Sequence, residues 1–170
     1  KRTELHGKTL GLVGIGNIAQ AVAVRAKAFG MHVIAYDKFV DSSRLAGLKP
    51  SLEEMVAEAD YISLHVPLTD ETMHMINKDV IAKMKDGVII VNTGRGRTVD
   101  SADVIAALES GKIAAYATDV WPKDPPDSDY PLLKAPNCFM SPHLGASSKE
   151  NLLRIGDEVD ERIVAFLGGE

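Results

Sequence analysis

The stretch that decides the fold lies near the start of the chain and reads Thr9-Leu10-Gly11-Leu12-Val13-Gly14-Ile15-Gly16-Asn17-Ile18-Ala19. Thr9–Val13 is typical of a short β-strand, and residues 18–29 have the apolar period of an α-helix. Between them Gly14 permits a tight turn, and Gly16 lets a pyrophosphate approach the backbone at the helix start. The pattern therefore predicts a dinucleotide site, with an ordinary strand-to-helix turn as the alternative.

A second strand supplies the acid that such a site needs. His32–Tyr36 is typical of a strand, and it ends at Asp37, 18 residues beyond Ala19. An acid in this position accepts hydrogen bonds from both ribose hydroxyls and repels the 2′-phosphate of NADP. We therefore expect NAD as cofactor, with Tyr36 beneath the adenosine. A solvated strand-end carboxylate is the alternative for Asp37, and the neighbouring Lys38 leaves NADP open.

The rest of the chain continues to alternate short β-rich runs with helical periods. Further strands are predicted at residues 61–66, 88–92, 114–120 and 138–141. Helices are predicted at residues 51–59, where Ser51 and Glu54 form a capping box, and at residues 77–84, which start at Asn77. Two more are predicted at residues 102–109 and 149–167, the last capped by Ser147 or Ser148 and ended by Gly168 and Gly169. Six strands with intervening helices predict one α/β domain over residues 1–170, a doubly wound parallel sheet of the Rossmann type.

Ligands of a doubly wound sheet bind outside the carboxyl ends of its strands, so the loops after the predicted strands should line the site. One of these loops is unusual. Residues 121–136 hold five of the eight prolines and five charged residues. This composition predicts an exposed, irregular loop rather than a regular element.

Composition excludes several classes of partner. The net charge is −5 and leaves no basic stripe, so neither nucleic acid nor an anionic membrane is expected to bind. Cys138 is the only cysteine, which excludes an intrachain disulfide and a cysteine-based metal cluster and fits a cytoplasmic location. The chain has no apolar run of the ~18 residues that a membrane span needs. Because it begins with Lys1, we expect sequence to precede it.

Four residues that could carry chemistry follow the later strands. Arg95 stands between two glycines after the fourth strand, Asp119 ends the fifth, Asp124 lies in the proline-rich loop, and His143 follows the sixth. Oxidation of a hydroxy acid needs a guanidinium for the carboxylate, a base with a pKa near neutrality and an acid that orients the base. A surface cation at a turn is the equally open alternative for Arg95.

Five motifs together resemble those of one family. They are Gly14 to Ala19 with Asp37, Ser63-Leu64-His65-Val66-Pro67-Leu68-Thr69, Asn92-Thr93-Gly94-Arg95-Gly96 with Val99-Asp100, Thr118-Asp119-Val120-Trp121, and Ser141-Pro142-His143-Leu144-Gly145-Ala146-Ser147. With them the chain resembles the D-isomer-specific 2-hydroxyacid dehydrogenases over nearly its whole length, and among these most the phosphoglycerate dehydrogenases. The resemblance implies the NAD-binding domain of an oxidoreductase for a D-2-hydroxy or 2-keto acid, without the substrate-binding domain, and a homodimer.

The same resemblance implies roles for individual residues. Arg95 would bind the substrate, His143 would act as acid and base, and Asp119 would contact the nicotinamide amide. The complete set of cofactor contacts predicted from the glycine turn and the resemblance is Gly14, Gly16, Asn17, Ile18, Asp37, Val66, Pro67, Thr93, Gly94, Arg95, Asp119, His143, Gly145 and Ala146.

One position departs from the family pattern. Asp124 stands where the family usually has the glutamate that orients the histidine. Its side chain is one methylene shorter, so it must approach the imidazole more closely or act through water. A solvated loop carboxylate and an orienting acid therefore both remain open for Asp124.

The other histidines show no metal-ligand spacing. We expect His32 and His65 to be packed in the core, and His6 and His74 to be exposed. A non-enzymatic alternative is an NAD(H)-sensing binding protein similar to the C-terminal-binding corepressors, which resemble this family and retain the arginine and the histidine. No segment of this sequence is typical of a peptide-binding site, which favours the enzyme.

Overall fold

The computed structural model describes residues 3–168 of the chain. They contain one sheet in the order β3-β2-β1-β4-β5-β6-β7, and every neighbouring pair of strands is parallel. The strands are β1 (Thr9–Val13), β2 (His32–Tyr36), β3 (Gly47–Leu48), β4 (Tyr61–Leu64), β5 (Val88–Asn92), β6 (Ile113–Thr118) and β7 (Cys138–Met140). The doubly wound parallel sheet is confirmed, but the predicted number of six strands is wrong. The strand that was missed, β3, has two residues, too few to show an alternation of apolar and polar side chains.

Five α-helices connect or follow the strands. They are α1 (Asn17–Ala28), α2 (Leu52–Glu58), α3 (Lys78–Lys83), α4 (Ser101–Ser110) and α5 (Lys149–Gly168). The predicted caps are confirmed at Ser51, which accepts the Glu54 N–H, at Asn77, and at Ser148, which accepts the Asn151 N–H. Gly169, predicted to help end the last helix, lies outside the described residues.

Two hydrophobic clusters pack on opposite faces of the sheet. Side chains alternate between faces along a strand, and β1 accordingly contributes Leu12 to one cluster and Val13 to the other. The smaller cluster joins α1 to β1 and β2, whereas the larger cluster joins α2, α3 and α4 to the rest of the sheet. On β1, Gly11 lets α2 approach, because a Cβ there would lie 2.3 Å from the Met55 sulfur. Because neighbouring strands are parallel, their carboxyl ends lie at one edge of the sheet.

The last helix differs from the other four. No side chain of α5 is buried, and it exposes Leu152, Leu153, Ile155, Val159, Ile163, Val164, Phe166 and Leu167. Across residues 3–168, no helix combines the length and the hydrophobicity that crossing a membrane requires.

The structure of the proline-rich segment differs from the exposed loop that was predicted. Residues 121–136 are not simply an exposed, irregular loop, because Trp121 and Leu132 are buried in the larger cluster. A short 3-10 helix at Pro131–Lys134 carries Leu132 inward, and the Trp121 and Tyr130 rings meet edge to face with centroids 6.2 Å apart. Prolines prevent regular strand pairing in this segment, but they do not prevent its apolar side chains from filling the core.

Candidate active site

The carboxyl ends of β1, β2 and β4 surround a cavity of about 600 Å³. Its position is the point where the strand order reverses, with β1 between β2 and β4. The predicted cofactor residues that line it are Gly14, Gly16, Asp37, Val66 and Pro67, and Tyr36 lines it as well. These residues come from three separate segments, which the fold brings to one cleft.

The glycine turn has the geometry that its sequence predicts. Gly14 has φ of 88°, and a Cβ there would lie 3.0 Å from the His65 carbonyl oxygen. Gly16 precedes α1 without a side-chain cap, and a Cβ there would meet nothing within 4 Å. The first N–H groups of α1 consequently face open space beside the exposed Asn17 and Ile18. This helix start can receive a phosphate.

Asp37 accepts two backbone hydrogen bonds that the sequence did not indicate. Its Oδ2 accepts the Ile15 N–H at 2.9 Å, and its Oδ1 accepts the Phe39 N–H at 2.8 Å. The carboxylate thus joins the end of β2 to the glycine turn. Each carboxylate oxygen has a further lone pair, so Asp37 can still accept a hydrogen bond from a ligand hydroxyl.

Of the histidines, His65 alone faces this cavity within the described chain. It is half-buried just after β4, its Nε2 lies 2.9 Å from Ser63 Oγ, and burial lowers its pKa. The prediction that His32 is packed in the core is wrong: as the first residue of β2 it is exposed. His6 and His74 are exposed, as predicted.

The other half of this edge holds the residues predicted to carry chemistry. His143 Nδ1 pairs with Asp124 Oδ2, so the shorter acid does reach the imidazole. The two side chains are only partly covered, at 47% and 40% exposure. Arg95 is also exposed, and its Nη1 donates to the Gly94 carbonyl at 2.7 Å.

Asp119 anchors the turn that carries His143. Its Oδ1 accepts from Ser141 Oγ at 2.6 Å and from the Leu144 N–H at 2.8 Å, and its Oδ2 accepts the Gly145 N–H at 2.8 Å. Partial burial alone would raise the pKa of Asp119, but these hydrogen bonds and the nearby His143 outweigh it and lower the pKa. The anchor holds His143 at a φ of 55°, a conformation rare outside glycine.

Hydrogen bonds of the Asn92 side chain hold the loop that carries Arg95. This side chain is fully buried, its Nδ2 donates to the Arg95 carbonyl at 3.1 Å, and its Oδ1 accepts the Gly94 N–H at 3.1 Å. Its amide also donates to the Tyr116 hydroxyl at 3.2 Å, and burial raises the pKa of Tyr116 to about 12. Thr93 and Gly94 are thereby held at the end of β5.

Gly96 and Trp121 join the three loops that follow β5, β6 and β7. A Cβ on Gly96 would lie 2.1 Å from the Trp121 carbonyl carbon and 2.5 Å from the Pro122 nitrogen. The Trp121 indole donates to the Ser141 carbonyl at 3.1 Å. The role of Gly96 was not predicted from the sequence, although a glycine on each side of Arg95 was a signal of close backbone packing.

Comparison with known proteins agrees with this geometry. Residues 1–145 match the model of the family described as D-isomer specific 2-hydroxyacid dehydrogenase, NAD binding domain. The chain belongs to this family. It is an NAD-binding domain, and the open helix start at Gly16, the fixed Asp37 carboxylate and the neighbouring cavity fit a dinucleotide.

Relatives of this dehydrogenase domain carry several substrate names. The chain is 49% identical to a hydroxypyruvate reductase of Thermotoga maritima, covering 99% of this chain and 56% of that protein. It is 44% identical to a D-3-phosphoglycerate dehydrogenase of Archaeoglobus fulgidus, covering 98% of this chain and 32% of that protein. It is also similar to the crystal structure of an Aquifex aeolicus D-lactate dehydrogenase complexed with NAD and lactic acid, with a TM-score of 0.87 and 36% identity, covering 98% of this chain and 55% of that one. The chain thus spans about half or less of the length of these relatives.

Proposed function

We propose that the protein containing this dehydrogenase domain interconverts a D-2-hydroxy acid and the corresponding 2-keto acid. The observation that carries the proposal is the pair of His143 and Asp124, which lies at the same sheet edge as Arg95 and the dinucleotide cavity. NAD, when bound, supplies the carbon that takes up or returns hydride. The chain's own residues bind the acid and move its proton.

His143 is the proposed acid and base. Because Asp124 pairs with Nδ1, the opposite nitrogen, Nε2, is the one available to a substrate hydroxyl. In oxidation Nε2 accepts the hydroxyl proton, and in reduction it returns the proton to the carbonyl oxygen. The Asp124 carboxylate fixes the ring orientation and stabilises the imidazolium that forms.

Arg95 is the proposed substrate-binding residue. A guanidinium can hold a carboxylate through two parallel N–H donors and can polarise the adjacent carbonyl. The hydrogen bonds from Asn92 hold the backbone of its loop, so the guanidinium is carried by a fixed base. Its single bond to the Gly94 carbonyl leaves most of its donors for a ligand.

The proposed cofactor contacts divide between the two halves of the edge. Gly14, Gly16, Asn17, Ile18 and Asp37, together with Val66 and Pro67, would hold the adenosine and the phosphates. The nicotinamide contacts would be Thr93, Gly94, Arg95, Asp119, His143, Gly145 and Ala146. Asp119 can take that role only through its remaining lone pairs, because both of its oxygens already accept protein hydrogen bonds.

For the substrate, we propose a phosphoglycerate-type acid, based on the sequence resemblance and on the relatives that bear this name. Hydroxypyruvate and glyoxylate are the competing substrates, because other relatives are named for them. We also propose a homodimer in the cytoplasm. Size-exclusion chromatography with light scattering checks the dimer.

The experiment is NADH consumption by a full-length protein that contains this chain. The panel consists of 3-phosphohydroxypyruvate, hydroxypyruvate, glyoxylate and pyruvate. We expect consumption with at least one of them, and fastest with 3-phosphohydroxypyruvate. NADH binding without turnover of any 2-keto acid would instead support an NAD(H)-sensing protein similar to the corepressors. Faster turnover of hydroxypyruvate would retain the enzyme and overturn the phosphoglycerate assignment.

A further inference from the structure

An ion pair spans the adenosine side of the cavity. Lys38 directly follows Asp37 at the end of β2, and its Nζ lies 2.6 Å from both carboxylate oxygens of Glu71. Glu71 belongs to the loop after β4, on the other side of the same cleft. Both residues line the cavity.

The cation of this pair, Lys38, is the group in the cavity that could favour NADP over NAD. Among the described residues that line the cavity, Lys38 is the only lysine or arginine, whereas Asp37, Asp70 and Glu71 are acids. An ammonium beside the residue that faces the ribose hydroxyls could bind a 2′-phosphate. In this chain both contacts of that ammonium go to a carboxylate.

Asp37 alone gives an incomplete explanation of NAD selectivity. Its carboxylate is fixed by the Ile15 and Phe39 N–H groups and would repel a phosphate. A free Lys38 would offset that repulsion, because both side chains line the same cavity. Discrimination therefore also requires that Lys38 be kept from the phosphate.

We propose that Glu71 is a specificity-determining residue of the NAD site, acting by holding Lys38 away from the position of a 2′-phosphate. Selectivity then has two parts, in which Asp37 repels the phosphate and Glu71 removes the cation that would attract it. The pair is exposed, at 53% for Lys38 and 66% for Glu71. Exposed ion pairs are weak, so the expected effect is several-fold rather than a reversal of preference.

The test measures binding of NAD⁺ and of NADP⁺ to the 170-residue chain by calorimetry. Glu71→Gln should tighten NADP⁺ by about threefold to fivefold and leave the NAD⁺ dissociation constant within about twofold. The matched control is Glu58→Gln, which breaks a similar surface pair with Lys49 at 2.7 Å outside the cavity. It should change neither constant. Thermal melting verifies that the variants stay folded.

The double variant Lys38→Met/Glu71→Gln separates the mechanism from simple charge removal. If Glu71 acts through Lys38, the double variant binds NADP⁺ no more tightly than the native chain does. An equal gain without Lys38 would overturn the proposal, because Glu71 would then repel the phosphate directly. An unchanged NADP⁺ constant in Glu71→Gln would overturn it as well. The inference rests on NAD binding and not on turnover, so an inactive full-length protein leaves it standing.

Discussion

The two halves of the sheet's carboxyl edge are built differently. Around β1, β2 and β4 the chain forms a walled cavity in which the Asp37 carboxylate is fixed by backbone groups. Around β5, β6 and β7 the side chains of Arg95, Asp124 and His143 stand in solvent, while the backbone beneath them is braced. Under the proposed function, the enclosure of these side chains would come from outside the described residues.

This difference separates binding from reaction within one domain. The walled half fits a dinucleotide, whereas in the open half nothing among the described residues would exclude water from the acid that we propose to bind at Arg95.

We expect the 170-residue chain alone to bind NAD and to show no measurable turnover of 2-keto acids. Positioning the substrate and excluding water together supply several kcal/mol of barrier reduction, and the open half offers only Arg95 to hold the acid and no cover against water. NAD titration and NADH consumption, compared with a full-length protein that contains the chain, measure both parts. Turnover within tenfold of the full-length protein would show that the open half is already complete.

In the full-length protein, His143→Ala should lower kcat/KM by about 10²-fold or more, because proton transfer loses its positioned base. NAD affinity should change little, since the walled half is untouched. The matched control is His32→Ala, an exposed histidine at the start of β2. A large loss of NAD affinity with unchanged kcat would place His143 in the binding half instead.

Gly96→Ala should destabilise the domain by about 1–3 kcal/mol, because the added methyl meets backbone atoms that cannot move independently. Thermal melting detects the loss, and full-length activity should fall with it. Gly156→Ala is the contrasting substitution: a Cβ in that part of α5 meets nothing within 4 Å. It should leave the melting temperature unchanged or slightly higher. Equal melting temperatures for the two variants would show that the three loops are not braced as described.

Asp119→Asn should destabilise the domain by about 1 kcal/mol at pH 7, because an amide cannot replace both carboxylate acceptors. The folded-state pKa of Asp119 is lowered from 3.8, so its stabilisation is present above that pH and is lost as pH falls through the lowered pKa. The difference in melting temperature from the native chain should shrink as the pH is lowered below 3.8. The exposed Asp129→Asn serves as control. A difference that grows in acid would contradict the anchoring role.

Local patterns were sufficient to predict most of the architecture. The glycine turn, six of the seven strands and the caps at Ser51 and Asn77 depend on residues close in sequence. Positions in the candidate site also followed, since strand ends of a parallel sheet meet at one edge. The roles of those residues stay predictions.

The remaining features depend on contacts between distant segments. The composition of residues 121–136 predicted an exposed loop, because the side chains against which Trp121 and Leu132 pack lie on other elements. The saturation of Asp119 by the His143 turn and the pairing of Lys38 with Glu71 join residues more than twenty positions apart. Exposure of His32 depends on which end of β2 meets solvent, which a pattern within the strand does not encode.

The boundary between β1 and β4, the seam at which the strand order reverses, also has a consequence for hydrogen exchange. The cavity draws Gly14 and Asp37 from one side of that seam and Val66 and Pro67 from the other, so a bound dinucleotide cross-links two segments far apart in sequence. Opening the seam breaks the bond from the His65 N–H to the Val13 carbonyl, at 2.8 Å. Hydrogen exchange at that amide should therefore slow as NAD concentration rises, because the ligand binds only the closed form. The fraction of the domain in which these two segments are separated would then fall as NAD is supplied.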